Sequence, residues 1–154
     1  MERNQYLSQK SLDKLKEELD EVKFKKIPAI ADKINEAKAQ GDLSENAEYH
    51  EAKEDMAWAQ GRLMELDQII NTAIIIDETQ QNKDEVNVGS TIEVETGEIT
   101  RKFTIVGPQE ADPANDLISN ESPMGEAFIG QRIKDVVEVR TPGGIKVYKI
   151  LSIK

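Results

Sequence analysis

The chain has 154 residues, a formal net charge of −10, 32% charged, 38% hydrophobic and 5% aromatic residues, and no cysteine. That length holds one ordinary domain or two small ones, and so few aromatics favour a long charged helical element beside one compact domain over a single large core. The lack of cysteine excludes disulfides and thiolate metal sites.

The polar start, Met1–Gln5, leads into no apolar run. No stretch of the chain approaches the roughly 18 apolar residues of a membrane span, so a cytoplasmic location is expected. From Leu12 the apolar positions run Leu12, Leu15, Leu19, Val22, Ile27, Ile30, Ile34 and Ala37. This is a helical stripe with one slip of phase, between Val22 and Ile27. Pro28 sits beside the slip and predicts a kink there.

A second stripe, Tyr49, Ala52, Met56, Ala59, Leu63, Leu66, Ile70 and Ala73, alternates three and four without interruption. It is a heptad seam, and its alanines let two helices approach closely. Between the stripes lies Ala39-Gln40-Gly41-Asp42-Leu43-Ser44. Gly41 is a natural helix stop. Asp42 with Glu45 three residues on reads as a capping box that starts the second helix. The expectation is an antiparallel hairpin with arms of about 30 residues, or about 45 Å at 1.5 Å per residue. Trp58, beside the seam, is expected to pack between the arms or against the C-terminal domain.

The pattern changes after residue 76. The two parts carry 11 basic and 16 acidic residues, then 9 and 14, so each stands at −5 and neither is a basic module. Strong binding to free duplex DNA is not expected, because neutralising phosphates needs clustered Lys and Arg; a protein partner fits better. Residues 77–87 are polar and suit a linker. Thr91–Glu95 and Phe103–Val106 alternate as strands, and Leu117–Ser119 is a short third run. Ser122 followed by Pro123 predicts an N-cap and a short helix over 123–129, closed by Gly130. Asp135–Arg140 and Ile145–Ile150 flank Thr141-Pro142-Gly143-Gly144, a hairpin. The sequence thus divides into 1–76 and 77–154, of α+β class.

The chemistry concentrates at Gly41-Asp42-Leu43-Ser44-Glu45-Asn46-Ala47-Glu48-Tyr49. Carboxylates in a first helical turn favour the positive end of its dipole, and Glu51, Glu54 and Asp55 read as an ordinary solvated face. Asp42 and Glu45, at the extreme end of a long rod, allow a sharper reading. Two carboxylates alone hold Mg²⁺ poorly, since the ion wants octahedral oxygens and keeps several waters. Such a pair is better suited to completing a metal site that another molecule supplies. His50 stands alone and builds no metal triad.

This nine-residue segment resembles the tip of the bacterial Gre transcript-cleavage factors, most closely the GreA-type branch. The resemblance continues into Tyr49-His50-Glu51-Ala52-Lys53. It returns in Leu117-Ile118-Ser119, in Ser122-Pro123 through Ile129-Gly130, and in Thr141-Pro142-Gly143-Gly144. It implies an N-terminal antiparallel coiled-coil hairpin and an FKBP-like β-rich C-terminal domain that binds RNA polymerase. It further implies that the hairpin enters the polymerase's secondary channel. There Asp42 and Glu45 hold Mg²⁺ shared with the polymerase active site, and the backtracked nascent RNA 3′ end is hydrolysed. No metal is expected on the isolated protein.

Carried over by position, Asn46, Glu48 and Tyr49 shape the tip. Lys38 and Lys53 form a small basic patch toward RNA, and Glu121, Ser122, Pro123 and Phe128 border the polymerase-docking surface. Arginine is common in the family where this chain has the two lysines, and Ser44 replaces a frequent basic residue. Both changes weaken the RNA contact, since lysine lacks arginine's bidentate fork. A monomer is expected, and the resemblance implies a factor that stimulates the polymerase's own hydrolysis and is not itself an enzyme. The alternative is a channel-binding regulator that occupies the polymerase without cleavage. Prolyl isomerase activity is not expected, since fold alone does not confer it and only Phe103, Phe128 and Tyr148 follow residue 76.

Overall fold

The computed structural model describes residues 4–77 and 82–154. The chain folds as two compact units. Lys10–Ala73 forms one, and Met1–Gln9 together with Ile74–Lys154 forms the other. The sequence draws a single cut, between 76 and 77. The structure's division is discontinuous, because the first residues join the second unit. Part of the expected linker, 78–81, lies outside the described residues.

The first unit is a helical hairpin. Its first arm runs α1 (Gln9–Glu21), a π-helical turn (Val22–Lys26) and α2 (Ile27–Ala39); its second arm is α3 (Ala47–Thr72). All eight positions of the first stripe are buried or half-buried, and so are all eight of the second. Arg62 of α3 pairs with Glu18 of α1 partway along the rod, and Asn46 reaches Ala37 at the tip end. The arms are therefore antiparallel. At about 1.5 Å per residue, the 26 residues of α3 span about 39 Å.

The phase slip has a different physical form from a proline kink. The Ile27 N–H donates to the Val22 carbonyl, five residues back, and Lys26 and Ile27 keep right-handed helical angles. The extra residue in the stripe is thus absorbed by one wide turn. Pro28 follows within the first turn of α2, where a missing N–H costs least. Trp58 also departs from expectation. Its neighbours Met56 and Ala59 face the seam, one helical step turns the indole outward, and it is 81% exposed.

In the second unit, β1 (Gln5–Leu7) and β2 (Ala73–Ile75) form a two-stranded sheet. The remaining strands are β3 (Thr91–Thr96), β4 (Ile99–Val106), β5 (Leu117–Ser119), β6 (Val136–Thr141) and β7 (Gly144–Ile153). They form a curled sheet in the order β5-β4-β3-β7-β6, antiparallel except for the β4–β5 pair. β6 and β7 close through Pro142-Gly143, with Thr141 opposite Gly144. A bulge shifts the β3–β7 register after Glu93.

Helix α4 (Pro123–Phe128) packs on this sheet and turns Gly125 and Phe128 inward. Gly125 is required there, because a Cβ would overlap the Ser119 carbonyl. Phe103, Phe128 and Tyr148 meet at the centre, with ring centroids 5.6–6.3 Å apart. All three aromatics of this segment are therefore core. Gly107 serves the N-terminal strand in the same way: a Cβ there would overlap the Tyr6 carbonyl. Ser8 adds a hydroxyl bond of 2.7 Å to Glu110. Among the described residues no helix is long and apolar enough to cross a membrane.

Candidate functional site: the hairpin tip

The tip spans residues 40–46. Gln40 ends α2 and Gly41 reverses the chain with φ +127°, a backbone state open to glycine at no steric cost. Helix α3 begins at Ala47. The expected capping box therefore does not form. Asp42 lies too far upstream, and Asn46 caps the helix, its Oδ1 accepting the Tyr49 N–H at 3.1 Å. The other end of the same amide donates to the Ala37 carbonyl at 2.7 Å. One side chain thus satisfies the start of α3 and the end of α2, closing the hairpin. The signal for it was an asparagine three residues before Tyr49, the first residue of the second stripe.

Asp42 is free for another task. Its Oδ1 accepts the Ser44 N–H at 3.0 Å and the Ser44 hydroxyl at 2.8 Å. These bonds, the backbone one first, hold its carboxyl below the ordinary value. Both go to Oδ1, so Oδ2 has no hydrogen bond among the described residues. Asp42 is fully solvated, ionised at neutral pH and oriented. Ser44, expected only to dilute the basic patch, is what orients it. Leu43 and Glu45 are exposed beside it, and Glu48 is exposed in the first turn of α3.

Tyr49 is half-buried, where the seam reaches the tip. The Lys53 ammonium lies 5.4 Å from its ring centroid, a cation–π contact, and His50 meets the ring edge-on at 5.6 Å. Lys53 is therefore tethered beside the tip, and Lys38 is exposed one residue beyond Ala37. Asp42 and Glu45 lie in the turn, Asn46, Glu48, Tyr49 and Lys53 at the start of α3, and Lys38 in the last turn of α2. Among the described residues no three His, Cys, Asp or Glu side chains are placed to hold a metal. The donor set fits an incomplete oxygen site for Mg²⁺, with two carboxylates and the other ligands from elsewhere.

The remaining candidates belong to the other unit, at the start of α4. Ser122 is the N-cap, accepting the Gly125 N–H at 3.0 Å and donating to the Ser119 carbonyl at 2.7 Å. Pro123 is exposed, and Glu121 and Ser122 are half-exposed. Phe128 corrects the reading. It is 0% exposed in the aromatic core and offers no surface to a partner. Its three-residue spacing from Gly125 turns both to the sheet.

Two family profiles match end to end. "Transcription elongation factor, N-terminal" covers residues 5–75, and "Transcription elongation factor, GreA/GreB, C-term" covers 80–154. The chain belongs to the GreA/GreB family of transcription elongation factors. It is 43% identical to transcription elongation factor GreA of Clostridium acetobutylicum, covering 99% of this chain and 98% of that one. It is 45% identical to GreA of Thermoanaerobacter pseudethanolicus, covering 96% of each. Solved relatives include GreA factor homolog 1 of Thermus thermophilus, at 24% identity, 99% coverage of both chains and TM-score 0.47. A GreA/GreB factor from Nitrosomonas europaea covers 61% of this chain and 79% of that one, at 25% identity and TM-score 0.44. The GreA/GreB relatives are named as elongation factors, so a transcribing RNA polymerase is the implied partner.

Proposed function

We propose that this chain binds RNA polymerase in the cytoplasm, inserts the hairpin tip into the secondary channel and stimulates cleavage of the backtracked RNA 3′ end. The hydrolysis belongs to the polymerase, and the factor contributes side chains. The observation that carries the reading is the exposed Asp42–Glu45 pair on a closed turn between two long helices, with Asp42 ionised and Oδ2 free. Asp42 and Glu45 would hold Mg²⁺ jointly with polymerase ligands. Bound there, the ion supplies an activated water and charge stabilisation for phosphodiester hydrolysis. Ser44 orients Asp42, Asn46 fixes the turn, and Lys38 and Lys53 place positive charge where an RNA backbone would pass.

The test is a backtracked elongation complex carrying end-labelled RNA. The parent chain should release short 3′ fragments in a Mg²⁺-dependent manner. Asp42→Asn and Glu45→Gln should each lower that rate by about 100-fold, the scale of one lost charge-stabilising group, while still competing with the parent for polymerase. Normal cleavage by both variants overturns the reading. Altered elongation without fragments supports the channel-occupying alternative. Degradation of naked RNA makes the protein a nuclease.

A further inference from the structure

Gly61 is a glycine near the middle of a 26-residue helix, in ordinary right-handed conformation. Glycine there weakens the helix relative to alanine. Such a residue earns its place when a Cβ would strike something, as at Gly107 and Gly125. At Gly61 a Cβ would meet nothing within 4 Å. The chain's own packing does not ask for this glycine.

What surrounds it is equally unexplained by the fold. Trp58 lies three residues before Gly61 and Met64 three residues after, flanking it on either side around the helix. They are 81% and 73% exposed, the two largest exposures among the exposed large hydrophobic side chains described. Glu54, Ala57, Trp58, Gly61, Arg62 and Glu65 line an open groove of about 420 Å³. Its lining includes the backbone left bare at Gly61 and the indole of Trp58.

The rim decides what the groove can take. Arg62 is spent within the hairpin, on Glu18 at 2.7 and 2.9 Å and on Glu65 at 2.7 Å. Glu54 has no ion pair among the described residues. The groove is therefore an indole and a backbone notch edged by net negative charge, on a chain of net charge −10. That combination suits an arginine or lysine stem lying along the indole face, with its charge toward Glu54. It disfavours a second copy of this acidic chain.

We propose that the Trp58–Gly61 groove is a second docking surface, seating a basic segment of RNA polymerase whose backbone approaches the helix at Gly61. The inference rests on the polymerase-binding reading above and adds a contact far from the tip. It assigns Gly61 to close approach by a partner and Trp58 to covering that partner's cationic side chain.

Gly61→Gln is the decisive variant, because the two explanations of the glycine give opposite signs. If the space is reserved for a partner, the variant should melt higher than the parent while its affinity for polymerase falls tenfold or more in competition binding. Trp58→Ala should lose affinity similarly. Oxidative footprinting of the one tryptophan, read by mass spectrometry, should show Trp58 reactive in the free chain and protected on polymerase. Asp42→Asn should keep that protection. A lower melting temperature for Gly61→Gln, or unchanged affinity, overturns the proposal. Trp58 protected already in the free chain, as monomer or dimer, assigns the groove to this protein itself and also overturns it. If the parent binds and stimulates cleavage while Trp58 stays reactive, this inference alone fails. If the parent does not bind polymerase, the functional reading fails with it.

Discussion

Asn46→Ala tests whether the tip is held by one side chain. The substitution removes the cap of α3, worth about 1 kcal/mol. It also deprives the Ala37 carbonyl of its 2.7 Å amide donor, a further loss of about 1 kcal/mol. Together the cost is about 2 kcal/mol, and at about 4–8 °C per kcal/mol for a small domain the hairpin should melt roughly 8–16 °C lower. Asn46→Asp separates the halves. The carboxylate still accepts the Tyr49 N–H and suits the helix start, while the donation to Ala37 is lost, so about half the effect should remain. The assay is the helical circular-dichroism signal against temperature, for all three proteins at one concentration. If Asn46→Ala melts within about 2 °C of the parent, well below the expected shift, the turn is closed by something else and the account of the tip is wrong.

Other consequences follow from the same contacts. Ser44→Ala should raise the Asp42 pKa toward the ordinary carboxylate value, read by carboxyl-carbon NMR titration; an unchanged titration refutes the orienting role. Because the folded value is the lower one, the contribution of Asp42 to stability is present above the ordinary carboxylate pKa. It is lost as pH falls through the folded value. Glu18→Gln removes the Arg62 contact that chiefly lowers the Glu18 pKa. With both side chains over a third exposed, the cost should be only about 0.5 kcal/mol, and smaller in high salt. A cost that does not vary with salt would make the pair's role steric. Gly107→Ala should release β1 from the second unit, read as faster amide exchange at Leu7, whose side chain is fully buried; unchanged exchange would show that the strand is held elsewhere.

The long elements were legible because their periodicity is driven by burial. Both apolar stripes face inward, and the alternating runs became β3, β4, β6 and β7. Details failed where two local rules competed. Asp42 and Glu45 satisfy a capping-box spacing, yet Asn46 stands three residues before the first seam residue, Tyr49, and takes the cap. Trp58 reads as core by composition, but it lies one helical step off the seam and faces out. Phe128 lies in a segment shared with the Gre family, yet it fills the sheet's core. The pairing of β1 with β2 joins residues nearly seventy apart through three-residue strands, too short to show a period. Of the tip, residue types and exposure were readable. The Ser44–Asp42 bonds and the double use of Asn46 depend on turn geometry and were not.

The wide turn at Val22–Lys26 bears on how this stalk tolerates editing. Removing one residue from it would bring Val22 and Ile27 four apart, and the first stripe would then repeat the three–four rhythm of the second without a break. Deleting Lys25 should therefore leave an uninterrupted α-helix whose inward face still matches its neighbour, with the far end keeping its azimuth about the rod. The surplus residue behaves as slack taken up in one loose coil, so a change of one in the residue count of this arm need not turn its acidic end away from its target.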